Sequence, residues 1–211
     1  MLKEFDMQKK IVLALLMTAL LAGWAFAQSN FSVGGGIILG PTFGESKNPF
    51  ESRKDSGSDF GINAFFDARY VEVNLGLLFN STKQEDDDKS MDSTYLTLGV
   101  LGKYPFSLSD KVALFPFVGL DLALGLGMKY DGKEAEFDAD HTMANYMNRL
   151  QLLFGVGLDF NLTEALFLRG EAGYAIVFNS TDEANTIKEY GSDVTITRGR
   201  LPLKIAIGYR F

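Results

Sequence analysis

Apolar and polar residues alternate along most of the chain from Phe31 to Phe211. This period of two is typical of β-strands with one apolar face, because successive side chains of a strand point to opposite sides. Between polar stretches, the alternation predicts eight strands, at residues 31–40, 60–67, 70–79, 94–104, 112–128, 147–160, 166–178 and 197–211. Since no linker or internal repeat divides these strands, we expect one all-β domain.

The lengths of the connections between these strands alternate. The first, third, fifth and seventh are long and polar, at 41–59, 80–93, 129–146 and 179–196, whereas the others are short, at 67–70, 105–111 and 161–165. An even number of strands with long loops at one end and tight turns at the other is typical of outer-membrane barrels. The pattern therefore predicts an eight-stranded, antiparallel, up-and-down transmembrane β-barrel with both termini in the periplasm.

Alternation alone does not say which face meets lipid, since a soluble barrel has its apolar face inside. Two features favour lipid on the apolar face. The strand glycines fall on the mixed, polar face, where a narrow lumen needs space for large rings, and aromatic residues of the apolar face lie near the strand ends, as two interfacial girdles require. The fifth strand, for example, places its apolar residues from Val112 to Met128 on the lipid face.

The first 27 residues have the features of a cleaved secretory signal. Lys9 and Lys10 form a basic region, residues 11–24 are apolar, and Ala25-Phe26-Ala27 is a small-x-small cleavage site. The translation start is either Met1 or Met7. We therefore expect residues 1–27 to be a signal peptide and residues 28–211 to be the exported barrel domain.

The last strand resembles the C-terminal targeting strand of bacterial outer-membrane barrels in its pattern Leu203-x-Ile205-x-Ile207-x-Tyr209-x-Phe211. With its strand count and loop alternation, the chain resembles the small barrels of the OmpA, OmpX and OmpW kind. This resemblance implies location in the bacterial outer membrane and two partners, the outer-membrane lipids and the barrel-assembly machinery. In such a protein Tyr209 and Phe211 would carry the assembly signal.

Composition and candidate chemistry exclude several other functions. The net charge of -7 argues against nucleic-acid binding, and the absence of cysteine excludes thiolate chemistry. The only histidine, His141, falls in a predicted loop without a rigidly held nucleophile, and the acidic run 85–88 lacks the spacing of a calcium loop. We expect no catalytic residue, no metal and no cofactor.

Ten charged side chains fall on the inward parity of the predicted strands. Eight of them form our expected lumen charge network, namely Glu72, Asp121, Arg149, Asp159, Arg169, Glu171, Arg200 and Lys204, and the others are Lys103 and Arg210. Charges in a narrow lumen must be paired, because an unpaired buried charge is costly. We expect Glu171 to pair with Arg169 or Lys204, and Glu72 and Asp159 to pair with the remaining bases.

These observations predict a non-enzymatic surface protein whose long polar loops bind a host or surface macromolecule, with a lumen filled by side chains. Two alternatives remain open. One is a conduit for small hydrophobic molecules, with an apolar pocket built from Ile38, Leu78, Tyr95 and Leu153, and the other is a narrow pore for ions.

Overall fold

The computed structural model describes residues 31–47, 52–84, 87–134, 147–178 and 195–211. The predicted signal peptide, His141 and part of the acidic run, residues 85–86, lie outside these ranges. The division into a signal peptide and a mature domain therefore stays a prediction. The described residues contain no helix that is long and apolar enough to cross a bilayer.

The described residues form long strands and two short strand segments. They are β1 (Phe31–Lys47), β2 (Ser52–Ala68), β3 (Val71–Gln84), β4 (Asp87–Lys103), β5 (Phe106–Ser107), β6 (Val112–Tyr130), β7 (Lys133–Glu134), β8 (Arg149–Asn161), β9 (Leu166–Phe178), β10 (Thr195–Arg200) and β11 (Leu203–Arg210). The segments β5 and β7 only add short pairings to β6, and β10 and β11 are two halves of one strand.

The sheet closes into an antiparallel barrel of eight strands, which confirms the predicted fold class. Consecutive strands pair around the barrel, and β1 closes it by pairing with β2 on one side and with β10 and β11 on the other. Phe211 donates its backbone N–H to the carbonyl of Phe31 at 2.9 Å, so the last residue lies beside the start of β1. We call this end of the barrel, which also carries the short turns, the turn end, and the opposite end the hairpin end.

The interruption between β10 and β11 has a local cause. Pro202 lies in the gap and Pro41 lies nearby on β1, and neither has a backbone N–H to give to the ladder. The hydrogen bonds that remain are from Leu201 to the carbonyl of Pro41 and from Gly173 to the carbonyl of Pro202, both at 3.0 Å. The strand therefore crosses the gap without loss of register.

Two predicted loops are strands over most of their length. The pairing of β1 with β2 continues to Lys47 and Ser52, and that of β3 with β4 continues to Gln84 and Asp87. The expected loops 41–59 and 80–93 are therefore wrong for these residues. Both segments are mainly polar, as expected of strands that extend beyond the membrane, and they lack the apolar alternation by which strands are recognised in a sequence.

The outer surface has the apolar face that the alternation predicts. Ile205 is 62% exposed and Leu75 is 52% exposed. Exposed aromatic residues lie at both edges of this surface: Phe60, Phe79 and Phe178 toward the hairpin end, and Tyr104, Phe160, Tyr209 and Phe211 toward the turn end. These are the positions of two interfacial girdles.

One part of the predicted outer face is wrong. The pairing of β4 with β6 shifts between Thr94 and Tyr95, whose partners are Gly127 and Gly125, so that Leu126 is an extra residue in the ladder. This β-bulge reverses the alternation beyond it. Met128 therefore packs against the buried cluster inside the barrel instead of facing lipid.

Three aromatic rings in the lumen lie against glycines of neighbouring strands. A Cβ built on Gly34 would lie 2.4 Å from the Phe65 ring, one on Gly157 would lie 2.2 Å from the Phe115 ring, and one on Gly208 would lie 2.2 Å from the Phe167 ring. No larger residue fits at Gly157 or Gly208 unless the rings move, and at Gly34 the backbone carbonyl of Ile207, 2.3 Å from the added Cβ, would have to move as well. The inward glycines thus provide the space in which a narrow barrel holds large side chains.

The membrane face leads to a prediction about an arginine placed at two depths of one strand. Leu75→Arg, in the middle of the apolar face of β3, should lower the free energy of unfolding by about 2–4 kcal/mol, whereas Val71→Arg, near its turn end, should cost about 0–1 kcal/mol. Urea unfolding in lipid vesicles measures both values. Equal losses at the two positions would contradict a hydrocarbon environment around Leu75.

Candidate functional site

Arg169 lies at the centre of a buried ion network inside the barrel. Its Nε and Nη2 atoms donate to the two carboxylate oxygens of Asp159, both at 2.7 Å, and Nη2 also donates to Asp67 Oδ2 at 2.7 Å. Its Nη1 atom donates to Glu72 Oε2. Because guanidinium is a planar group with five N–H donors, one arginine can join carboxylates from three different strands.

Two lysines complete the network. Lys103 Nζ pairs with Asp67 and lies 3.2 Å from Glu72 Oε2. Lys204 Nζ donates to Glu72 Oε1 and Asn74 Oδ1, both at 2.9 Å, and to Glu171 Oε1 at 3.3 Å. The lumen network thus joins four carboxylates to three cations, and it spans β2, β3, β4, β8, β9 and β11.

Aromatic rings pack around the network and complete its burial. The Arg169 Cζ atom lies 4.7, 5.0 and 5.1 Å from the ring centroids of Phe65, Phe115 and Phe167. Glu72 and Phe167 are 0% exposed and Arg169 is 2% exposed. Rings and ions together therefore fill the cross-section of the barrel at this level, and water does not reach the centre of the network.

The charged residues expected in the lumen separate into groups. Glu72, Asp159, Arg169, Glu171 and Lys204 come together in the network, with Glu171 against Lys204. Asp121, Arg149, Arg200 and Arg210 lie at other levels of the barrel.

Arg200 and Arg149 lie toward the hairpin end. Arg200 pairs with Asp59 at 2.8 Å and donates to Gln151 at 3.1 Å, and the Arg149 Cζ atom lies 5.0 Å from the Tyr95 ring centroid. Asp121 lies on β6 opposite Gln151, outside the lumen network, and interacts electrostatically with Arg200. At the turn end, Arg210 lies over Phe167 at 5.0 Å and donates to Asn161 at 3.3 Å.

A second feature of the lumen is a cavity of about 60 Å³ near the hairpin end. Its charged lining residues are Asp55, Asp59, Arg149, Arg198 and Arg200, and Leu78, Tyr95 and Ala123 also line it. Burial raises the pKa of the Asp55 carboxyl, which lies beyond the aromatic girdle, and the Arg198 guanidinium opposes that rise. We call this space the mouth cavity.

The apolar residues expected to line one pocket lie in two separate clusters. Leu78 and Tyr95 pack with Ala123 and Met147, and Ile38 packs against this cluster. Leu153 instead packs against Leu101, Phe115 and Phe117. These side chains therefore fill space instead of lining a common apolar pocket, and the cavity beside Leu78 and Tyr95 has charged walls.

Sequence reasoning missed two acids of these sites, Asp59 and Asp67. Asp59 is 4% exposed and pairs with Arg200, and Asp67 is 4% exposed and pairs with Lys103 and Arg169. Asp59 is the last residue of the predicted loop 41–59, and Asp67 lies where the predicted strand 60–67 meets the turn 67–70. The parity of that strand could have found both, because Asp59 and Asp67 share the inward face of Asn63 and Phe65.

No group of three or more histidine, aspartate or glutamate side chains in the described ranges is arranged to hold a metal ion.

The expected assembly signal lies on the outer face of the barrel, where Tyr209 is 51% exposed and Phe211 is 73% exposed. Their expected part in barrel assembly stays a prediction.

The network leads to a prediction for Arg169→Met. This variant leaves four buried carboxylates with two lysines, so the free energy of unfolding should fall by about 3–5 kcal/mol. Lys111→Met, in an exposed turn, is the matched control and should change it by no more than about 0.5 kcal/mol. Urea unfolding in vesicles measures both.

A second substitution tests the cause of that loss. Asp159→Asn in the Arg169→Met background removes one uncompensated carboxylate, so it should recover part of the stability. A network that contributes nothing would give equal values for Arg169→Met and Lys111→Met, and no recovery in the double variant.

Comparison with known proteins adds the family. A family model described as "Outer membrane protein beta-barrel domain" matches residues 11–197. Among curated proteins, no sequence matches this chain.

Several solved structures are similar. Neisserial surface protein A (NspA) is 13% identical, with a TM-score of 0.49 over 86% of this chain and 97% of that one. OprG from Pseudomonas aeruginosa is 13% identical, with a TM-score of 0.44 over 87% and 96%. Ail of Yersinia pestis, in complex with the heparin analogue sucrose octasulfate, is 15% identical, with a TM-score of 0.35 over 87% and 100%.

The family match covers most of the chain and agrees with the closed barrel, the apolar outer surface and the two aromatic girdles. The protein is located in the bacterial outer membrane. It belongs to the outer-membrane β-barrel domain family.

Proposed function

We propose that the protein is a non-enzymatic surface barrel that does not conduct, and that it acts through its hairpins by binding a macromolecule outside the membrane. The observation that carries this proposal is the closed lumen. Seven of the eight strands contribute a side chain to the layer around Arg169, and Gly34 of the remaining strand accommodates the Phe65 ring. A solute would have to break several buried ion pairs to pass.

The hairpins support the second half of the proposal. The ladder between β1 and β2 continues beyond Leu39 and Phe60 to Lys47 and Ser52, which gives a hydrogen-bonded ribbon above the apolar surface. A paired ribbon is more rigid than a loop, so it presents side chains with little loss of entropy on binding. If the termini are periplasmic, these ribbons are on the outside of the cell.

The charge of the hairpin end indicates the chemistry of the partner. Segments 80–93 and 129–146 each contain five acidic residues and two lysines, which gives each a charge of -3. Acidic segments attract a basic surface and repel an acidic one. We therefore infer a macromolecular partner with a basic binding surface.

The conduit alternative has less support. It requires one apolar pocket, whereas Leu153 packs in a different cluster from Leu78 and Tyr95. It also requires a path past Arg169, which is 2% exposed.

We further propose that the exposed side chains of Tyr209 and Phe211 are recognised by the barrel-assembly machinery during insertion into the membrane.

The closed lumen predicts the behaviour of the protein in planar bilayers. The intact protein should show no stable conductance, and the double variant Arg169→Ala/Phe115→Ala should show small, stable openings because a cation and a ring are removed from the same layer. Leu120→Ala, on the lipid face, is the control and should remain closed. Large, stable openings of the intact protein would overturn the closed-lumen proposal.

The binding role predicts an effect of shortening one hairpin. Residues 82–91, which contain four acidic residues and two lysines, can be replaced by an Asn-Gly turn, because Ser81 and Asp92 are paired and two-residue turns of this kind close hairpins. Cells that display this variant should adhere less to an immobilised basic protein than cells with the intact barrel, and salt should weaken the adhesion of the intact barrel. Equal adhesion by the two at low salt would contradict a role for this hairpin.

A further inference from the structure

The β-bulge at Leu126 changes the outer surface of the barrel as well as its interior. Beyond the bulge, Gly127 is paired with Thr94 and Lys129 with Asp92. Residues paired directly across two antiparallel strands lie on the same face, so Gly127 and Lys129 share the outward face of Thr94 and Asp92. The bulge thus places a residue without a side chain on the lipid-facing surface of β6.

A groove lies at this point of the outer surface. Its volume is about 280 Å³, against about 60 Å³ for the mouth cavity, and it crosses β2, β3, β4 and β6. A Cβ built on Gly127 would meet nothing within 4 Å, so the space in front of this residue is open. We call it the outer groove.

The walls of the outer groove change from apolar to polar in the direction of the hairpin end. Phe60 and Phe79, whose ring centroids are 6.3 Å apart, line it at the level of the aromatic girdle. Ser58 and Ser81 are the next outward residues toward the hairpins on the same two strands. An apolar part at the girdle and a polar part beyond it match the order of tail and head in a lipid.

The charge at the polar end indicates the kind of head. Lys129 is exposed there, and no acidic side chain among the described residues forms an ion pair with it, although Asp92 and Glu134 are its backbone partners. Asp92 instead accepts a hydrogen bond from Ser81 at 2.6 Å. Lys83, two residues beyond Ser81, is a second exposed cation on the outward face.

This local charge differs from that of the hairpin as a whole. Four of the five acids in segment 80–93 lie at 85–88, near the tip, whereas Lys83 and Lys129 lie close to the girdle. Lysines at the surface of a membrane attract anionic lipids. The boundary between the barrel and the bilayer is therefore basic at this groove, below an acidic hairpin tip.

We propose that the outer groove binds one anionic, phosphate-bearing lipid of the surrounding leaflet. An acyl chain lies over Gly127 against the rings of Phe60 and Phe79, and the phosphate lies at Lys129. The groove is continuous with the lipid-facing surface, which gives a lipid direct access to it. This site is separate from the lumen network and from the hairpin tips, so it does not depend on the surface-binding role.

Native mass spectrometry of the folded barrel, purified in a neutral detergent, tests the proposal with three probes. Phosphatidylglycerol should remain bound as one molecule per barrel, and phosphatidylethanolamine, which has a phosphate but no net charge, should bind at least about fivefold more weakly. Glycerol phosphate, which has the phosphate without acyl chains, should not bind measurably.

Gly127→Leu fills the groove and should remove the bound phosphatidylglycerol. Gly170→Leu is the matched control, because Gly170 also lies exposed on the outer face and a Cβ built on it also meets nothing within 4 Å. This control should retain the lipid as the intact protein does. The heat-dependent shift in electrophoretic mobility shows whether each variant is folded.

A charge substitution tests the other end of the groove and keeps the proposal testable if Gly127→Leu does not fold. Lys129→Gln should weaken phosphatidylglycerol binding by about fivefold, as expected for the loss of one cation at a membrane surface. Lys111→Gln, in an exposed turn at the turn end, is its control and should leave the binding unchanged.

Four results would overturn the proposal. Absence of a retained lipid would mean that no specific site exists, and equal binding of the two phospholipids would mean ordinary contact with bilayer lipid. Glycerol phosphate bound as tightly as phosphatidylglycerol would mean a site for free phosphate, and equal binding by a variant and its matched control would place the lipid elsewhere. None of these results bears on conductance or on hairpin adhesion, so the failure of this site and the failure of the proposed function can be told apart.

Discussion

Hydrocarbon around the barrel is the constraint on which the rest of the structure depends. Lipid tails offer no hydrogen bonds, so every strand must pair on both sides and its outer face must be apolar. All polar side chains of the membrane-spanning strands then share one narrow interior, where they must satisfy one another. The ion network around Arg169 and the glycines beneath the Phe65, Phe115 and Phe167 rings both follow from this confinement.

Parity explains how much of this architecture could be predicted. In a strand with lipid on one side, each residue is assigned to a face by its position alone, so the strand Leu203–Arg210 shows Lys204 inside and Ile205 outside as the sequence indicates. The same rule assigns Glu72, Arg169 and Glu171 to the lumen. It does not say which strands face each other across it, so the contact between Arg169 and Glu72 required the closed barrel.

The rule fails where its physical basis ends. Beyond the girdles water lies on both faces, and the hairpin ribbons of β1 to β4 show no apolar alternation to detect. A bulge also defeats it, because one extra residue at Leu126 moves Met128 from outside to inside without any change in composition. Asp59 and Asp67 were missed for a related reason, since each lies at the limit of the strand that the alternation defines.

The two charged regions of the lumen differ in a way that bears on function. In the network, carboxylates and cations from several strands lie within hydrogen-bond distance, an arrangement that stabilises a closed cross-section and leaves little for a ligand to replace. At the mouth cavity, Arg200 of β10 is ion-paired with Asp59 of β2, and Tyr95 of β4 lines the same space. The closed cross-section of the barrel therefore lies at the network, and the open volume of the mouth cavity lies on the hairpin side of it.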